Sequence, residues 1–320
     1  MSKIPAPDRS NCAALIVSYN ASQALVSQWI HTRRAFDHVL IVDNSTDNDA
    51  MVRIKDFSVS HGVALIQDGH NKGLAAANNL AFKWLEGHGL VWIAIFDHDT
   101  KVMENIIEIV SGVYQEFAGR DDVGLFGVNL VEEILKEPIY PVKSDLNWEF
   151  CNFIIGSGTF LSLRRFKEIG PFMGSLFVAA VDVEYSLRVV YKALKIVRIS
   201  RVCGSHIYGE PRNIKVFGRV VRLTNYSPFR HYLWARSLMI LTYLYAFRVP
   251  GELGATWRWT LKHWAKICFE SGRPEKIRAV IRGISAGLWH VLSGGARRDF
   301  YTAVVASPAS DVGVKGEDHV

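Results

Sequence analysis

VWIAIFDHDTKV, residues 91–102, runs six apolar residues straight into Asp97, His98 and Asp99. Three similar runs precede it: AALIVSYN (13–20), HVLIVDN (38–44) and GVALIQD (62–68). Helical periodicity fills the gaps at Ser22–Phe36, Asn48–Ser60 and Leu74–Glu86, and resumes over Met103–Phe117. Short Val- and Ile-rich runs alternating with single amphipathic helices indicate βαβ units and a mostly parallel sheet. Such sheets bind ligands beyond the carboxyl ends of their strands. All four predicted strands end in polar side chains: Ser18-Tyr19-Asn20, Asp43-Asn44-Ser45, Asp68 ahead of Asn71-Lys72-Gly73, and Asp97-His98-Asp99. Four such ends on one edge describe a binding crevice, although any one of them is ordinary turn chemistry.

No GxGxxG follows the first run, and no GxxxxGK[ST] occurs anywhere. A nucleotide diphosphate in this crevice would need another source of positive charge, and a divalent metal supplies it. On an extended strand end, residues i and i+2 share a side, so Asp97 and Asp99 can converge on one ion while His98 points away. Their oxygens suit Mg²⁺ or Mn²⁺. The competing reading makes them caps for the helix that follows. His206, in CGSHIYGE, could supply a third ligand or could be a packing residue. In VDVEYSLR, Asp182 and Glu184 cannot share a helix face, so at most one is aimed at the crevice. A carboxylate there could act as general base on a hydroxyl, or simply favour the helix N-terminus.

Beyond Arg120 the chain predicts strands at 123–130, 153–163 and 195–200, short helix Arg164–Ile169 and a longer helix over 178–194. From Pro228 it is mostly amphipathic helix, ending in a polar tail after Ser307. The expected division is a catalytic α/β domain over 1–225, a helical region over 226–306 and a flexible tail over 307–320.

Of 320 residues, 49% are hydrophobic, enough for one large core. The four cysteines, Cys12, Cys151, Cys203 and Cys268, form no CxxC pair and no zinc spacing, which argues for a reducing compartment. No signal peptide is expected at the N-terminus. SLMILTYLYAF (237–247) is shorter than the roughly 20 residues a membrane span needs. A cytoplasmic or peripheral protein is expected. Tyr185–Phe300 carries 21 Lys/Arg against 5 Asp/Glu, interleaved with Trp, Tyr and Leu. That surplus predicts an anionic lipid surface or polyphosphate as partner, against the alternative of a solvated helical face. Nucleic acid is not expected.

The series VSYN, VDNS, NKGLAAANN, FDHD, GSG, VDVEYSLR and H-x-x-GE resembles glycosyltransferase family 2 enzymes of the GT-A fold, over about residues 12–240. SPFRHYLWARS (227–237) narrows the resemblance to the bacterial rhamnosyltransferase branch. The resemblance implies that Tyr19, Asn20 and Asp43 line the nucleobase and ribose pocket, with Asn71, Gly73 and Asn79 shaping the loop against the nucleotide. It implies Asp97 on the ribose and metal, Asp99 and His206 on the metal, and Asp182 as base. Gly156, Ser157 and Gly158 would lie under the acceptor, with Glu184 an acceptor contact or a helix-side acid. Two departures are His98, where Gln or Asn is usual, and Arg236-Ser237 in place of a closing Arg-Asn.

The function so implied is inverting, metal-dependent sugar transfer. The donor would be dTDP-L-rhamnose and the acceptor a glycan or a polyprenyl-diphosphate-linked saccharide. A nucleotidyltransferase and a non-catalytic nucleotide-sugar or membrane-binding module are the rival readings. The helices over Glu252–Gly294 could serve a membrane face or contact a second copy.

Overall fold

The computed structural model describes residues 4–117, 120–142, 146–207, 212–216 and 219–304. The first half alternates as predicted: β1 (Cys12–Ser18), α1 (Gln23–Ala35), β2 (His38–Asp43), α2 (Asn48–His61), β3 (Ala64–Gln67), α3 (Gly73–Gly87) and β4 (Trp92–Asp97). Then come β5 (Thr100–Val102), α4 (Ile106–Glu116), β6 (Val123–Glu132), β7 (Glu137–Pro138), β8 (Trp148–Cys151), β9 (Thr159–Ser162) and α5 (Leu163–Ile169). The remainder is α6 (Val181–Tyr191), β10 (Lys195–His206), β11 (Arg212–Val216), β12 (Arg219–Leu223), α7 (Pro228–Tyr245), α8 (Pro250–Lys266), α9 (Arg273–Leu292) and α10 (Gly295–Val304).

The main sheet runs β3-β2-β1-β4-β9-β6-β10-β5. Strands β1 to β4 are parallel, as are β6 and β10, while β9 runs antiparallel between β4 and β6. The polar ends of the first four strands therefore lie along one edge. Strands β1, β2 and β4 bury both faces. Leu15, Leu40 and Ile93 pack toward α3 and α6, and Ile16, Ile41 and Phe96 toward α1 and α4.

Three differences from the sequence reading matter for function. First, α4 begins at Ile106, beyond the intervening strand β5, so Asp97 and Asp99 do not cap it. Second, β10 continues to His206 as a 12-residue strand, not ending near Ser200. It pairs antiparallel with β5, placing His206 opposite Thr100. Gly204 permits that pairing, because a Cβ there would meet the Lys101 carbonyl oxygen at 2.2 Å. Third, the helix expected from Val178 starts at Val181. Ala180 (φ 62°) and Phe177 (φ 61°) occupy the left-handed side of backbone space, which stops a helix and stores strain just ahead of Asp182.

The C-terminal helices do not form a separate core. Ile240, Leu241, Leu244 and Tyr245 of α7, Leu253 of α8 and Ala296 of α10 join the same apolar cluster as Leu15 and Ile93. The tail over 307–320 lies outside the described residues, as do Gly209 and Glu210 of the H-x-x-GE motif.

Candidate active site

The edge of the sheet brings Asp97, Asp99 and His206 together, with one ligand atom from each lying within 4.8 Å of the others. Asp97 ends β4, Asp99 follows in a two-residue turn, and His206 arrives from the far end of β10. Its Nδ1 lies 3.2 Å from Asp99 Oδ1 and its Nε2 4.0 Å from Asp97 Oδ2. Thr100 Oγ1 lies 2.9 Å from His206 Nδ1 and 2.7 Å from Ser157 Oγ, which in turn accepts from the Asp97 amide at 3.2 Å. His98 turns away: its Nδ1 accepts from the Tyr19 amide, and its carbonyl accepts from the Trp29 indole. It fastens the turn to β1 and α1.

Charge and burial pull these groups in different directions. Burial raises the Asp97 carboxyl above its ordinary value, against the pull of His206. For Asp99 burial acts the same way, but the His206 contact and charge outweigh it and hold the carboxyl low. Burial would lower the His206 imidazole, yet Asp99 and Asp97 hold it above its usual value. Asp99 Oδ1 is buried and faces His206 Nδ1 across this ion pair. Two carboxylates and an imidazole converging this closely form a donor set that fits Mn²⁺ or Mg²⁺.

Asp182, in the first turn of α6, is half-buried beside this cluster. Burial pushes its carboxyl up to about 6; the Val183 amide at 2.9 Å opposes that rise and the Asp97 charge adds to it. Asp97 and Asp182 line one small pocket with Gly156, Asn78, Phe172 and Tyr185. Asn78 Oδ1 and Tyr185 Oη there are buried without hydrogen-bond partners.

The other expected site residues divide into walls and supports. Tyr19 is exposed at the rim, 47% of its surface open. Asn20 (φ 45°) accepts with its side chain from the Thr46 and Asp47 amides, locking the first loop to the second. Asp43 is buried, and its oxygens accept from Ser45 and from Gln67 Nε2. Asn71 accepts from the Gly73 amide, and Asn44 clamps the same loop from the β2 end. Gly73 (φ +80°) lies so close to Phe177 that a Cβ would meet the ring at 2.4 Å, so this loop docks on the strained segment before Asp182.

Four expectations are corrected. Asn79 does not face the crevice, because its amide donates to the Phe172 carbonyl and accepts from the Phe172 amide. Its neighbour Asn78 faces the pocket instead. Gly158 (φ +85°) packs against Val128 within the sheet, and Ser157 is buried under Asp97, which leaves Gly156 alone of the GSG triplet at the pocket. Ser157→Ala should weaken metal affinity about 10–100-fold, as loss of an outer-shell partner does, and calorimetric Mn²⁺ titration checks this.

Glu184 is fully buried, not an acceptor contact. It forms a two-point ion pair with Arg188 and accepts from Tyr245 Oη at 2.6 Å. Arg188 also donates to the Pro171 carbonyl at 2.6 Å and the Ala303 carbonyl at 3.2 Å. A helix that must present Asp182 outward places Glu184 inward, where only a paired charge is tolerated. Glu184→Gln should destabilise the protein by about 3–5 kcal/mol in denaturant titration, since it strands the Arg188 charge. Arg236 of α7, donating to the Ser175 carbonyl at 2.6 Å, braces the same segment. Sequence patterning missed Thr100, Asn78, Arg188 and Tyr245. Only the i,i+4 spacing of Glu184 and Arg188 was a readable signal.

Residues 14–167 match the model of glycosyl transferase family 2. They are a family 2 glycosyltransferase domain. The dTDP-rhamnosyl transferase RfbF of Shigella flexneri is 25% identical over 243 residues, 72% of this chain and 80% of that protein. The fold resembles S. aureus TarS 1-349 in complex with UDP-GlcNAc, with a TM-score of 0.53 at 12% identity, over 91% of this chain and 90% of that one. Against a longer S. aureus TarS chain the TM-score is 0.51 at 14% identity; 90% of this chain is covered but it spans only 53% of that one. The chain is thus a glycosyltransferase with a GT-A sheet. Among the described residues, no helix is long and apolar enough to cross a membrane.

Proposed function

We propose that this glycosyltransferase transfers L-rhamnose from dTDP-L-rhamnose, with inversion, to a hydroxyl of a glycan or lipid-linked saccharide. The observation that carries the reading is the pairing of Asp182, a carboxyl raised to about 6, with the Asp97–Asp99–His206 cluster at the strand ends. The likeness to RfbF supports the choice of donor. A divalent cation held by Asp97, Asp99 and His206 would neutralise the charge that builds on the donor diphosphate as the glycosidic bond breaks. Tyr19, at the open rim of β1, takes the nucleobase. Asp182, partly withdrawn from water, accepts the proton of the acceptor hydroxyl as its oxygen attacks the anomeric carbon from the face opposite the leaving group. A single displacement requires only one such carboxylate, and the burial of Glu184 supports Asp182 for that role.

The test is a release assay across nucleotide sugars with a metal titration. Free dTDP from dTDP-rhamnose, dependent on Mn²⁺ or Mg²⁺, is the expected result; release from another nucleotide sugar alone would reassign the donor. Proton NMR of the product reports the anomeric configuration, and retention would overturn the single displacement.

A further inference from the structure

Helix α9 packs on α7 through Gly283 and Gly287. A Cβ on the first would meet the Tyr232 carbonyl oxygen at 2.4 Å, and on the second the Arg236 carbonyl oxygen at 2.6 Å. Contact that close turns the opposite face of α9 outward. At about 100° per residue, Ile277, Leu288, Ile281 and Leu292 fall within one narrow arc, with Trp289 beside it. They are exposed by 47, 48, 59, 81 and 73%. A contiguous apolar stripe of this kind is an interaction surface.

Its chemistry is specific. Arg278 and Arg282 border the stripe and are exposed, and with Pro228, Phe229, Tyr232, Ala279 and the single acid Glu275 they line a groove at the start of α7. The α9 sequence holds one acid, Glu275, and its buried Lys276 is neutralised by Glu270 at 2.8 Å. Aliphatic residues, a Trp at their border and two arginines against one carboxylate in the groove suit a helix lying in the plane of an anionic lipid surface. A two-fold contact with a second copy would instead place this basic face against its own equivalent.

We propose that the outer face of α9 docks on an anionic bilayer. Ile277, Ile281, Leu288 and Leu292 enter the boundary between headgroups and acyl chains. Arg278 and Arg282 take lipid phosphates in the groove beside Phe229 and Tyr232. This deepens the proposed function by bringing the enzyme to the surface where a lipid-linked acceptor lies, but its test needs no turnover.

Vesicle flotation of the full chain provides that test. Vesicles containing phosphatidylglycerol should carry the protein, and phosphatidylcholine vesicles should carry far less. The double variant Arg278→Ala/Arg282→Ala should lose about 30-fold in partitioning, from the usual contribution of two basic side chains. Trp289→Ser with Ile281→Ser should abolish flotation. Both variants change exposed residues, so their melting curves and donor hydrolysis should match the parent. Equal flotation on both lipids, or unchanged partitioning of the variants, overturns the proposal. So does a dimer in sedimentation that these substitutions dissolve, or full displacement by millimolar inorganic phosphate. A failed transfer assay would count against the proposed reaction while leaving the flotation result intact.

Discussion

Asp182→Asn is expected to bind the donor normally and to lose about 10²–10⁴-fold in turnover, the contribution of a positioned general base. In the wild-type enzyme kcat/KM should rise with pH through an apparent value near 6, where burial has placed the Asp182 carboxyl, and the variant should lose that limb. Stability moves the other way. The folded carboxyl, near 6, sits above the roughly 3.9 of an unfolded chain, so the folded protein holds this proton more tightly. The resulting stabilisation is complete below about pH 4 and is lost as pH rises through about 6. Asn has no charge to bury, so at pH 8 the metal-free variant should be more stable than its parent by up to about 3 kcal/mol. The two proteins should converge near pH 4. Thermal melts across that range, beside single-turnover rates, check both halves. An inactive variant that is also less stable at pH 8 would make Asp182 a structural carboxylate, and near-parental turnover would remove it as the base.

Asp99→Ala and His206→Ala should each weaken Mn²⁺-dependent donor binding by more than the roughly 100-fold that an outer-shell change can cost. The reason is geometric: one ligand atom from each of the three groups lies within 4.8 Å of the others, and His206 already faces Asp99 at 3.2 Å. His98→Ala is the informative contrast. That imidazole accepts from the Tyr19 amide and faces away from the cluster, so its loss should loosen the rim while keeping the metal dependence. Calorimetry of donor binding, with Mn²⁺ and with chelator, separates the cases. Equal donor affinity in both conditions for the parent protein would overturn the metal reading, and loss of metal dependence in His98→Ala would reassign the ligand set.

Much of this site was legible because its parts lie at the ends of strands. Where a buried strand must stop, side-chain alternation and turn chemistry act over a few residues, and Asp97, Asp99, Tyr19 and Asn20 could be placed on one edge from spacing alone. The assignment of each polar residue to ligand or support was less legible. Asn78 and Asn79 are neighbours of one type, and helix phase decides which meets the pocket and which meets Phe172. Ser157 reads as a small residue for close approach, but its hydroxyl ties Thr100 to the Asp97 backbone.

The amino-acid sequence by itself determined the α/β alternation, the parallel pairing of the first strands and the carboxylate pair at the end of β4. These follow from hydrophobic period and local turn preference, which act within about ten residues. Tertiary structure decided what those carboxylates meet. Pairing of β5 with β10 carried His206 across more than a hundred residues to Asp99, and it displaced the helix that Asp97 and Asp99 could otherwise have capped. Burial of Glu184 against Arg188 and Tyr245 settled which acid of the VDVE segment faces outward. Both outcomes depend on desolvation and long-range packing, and neither is written in local spacing.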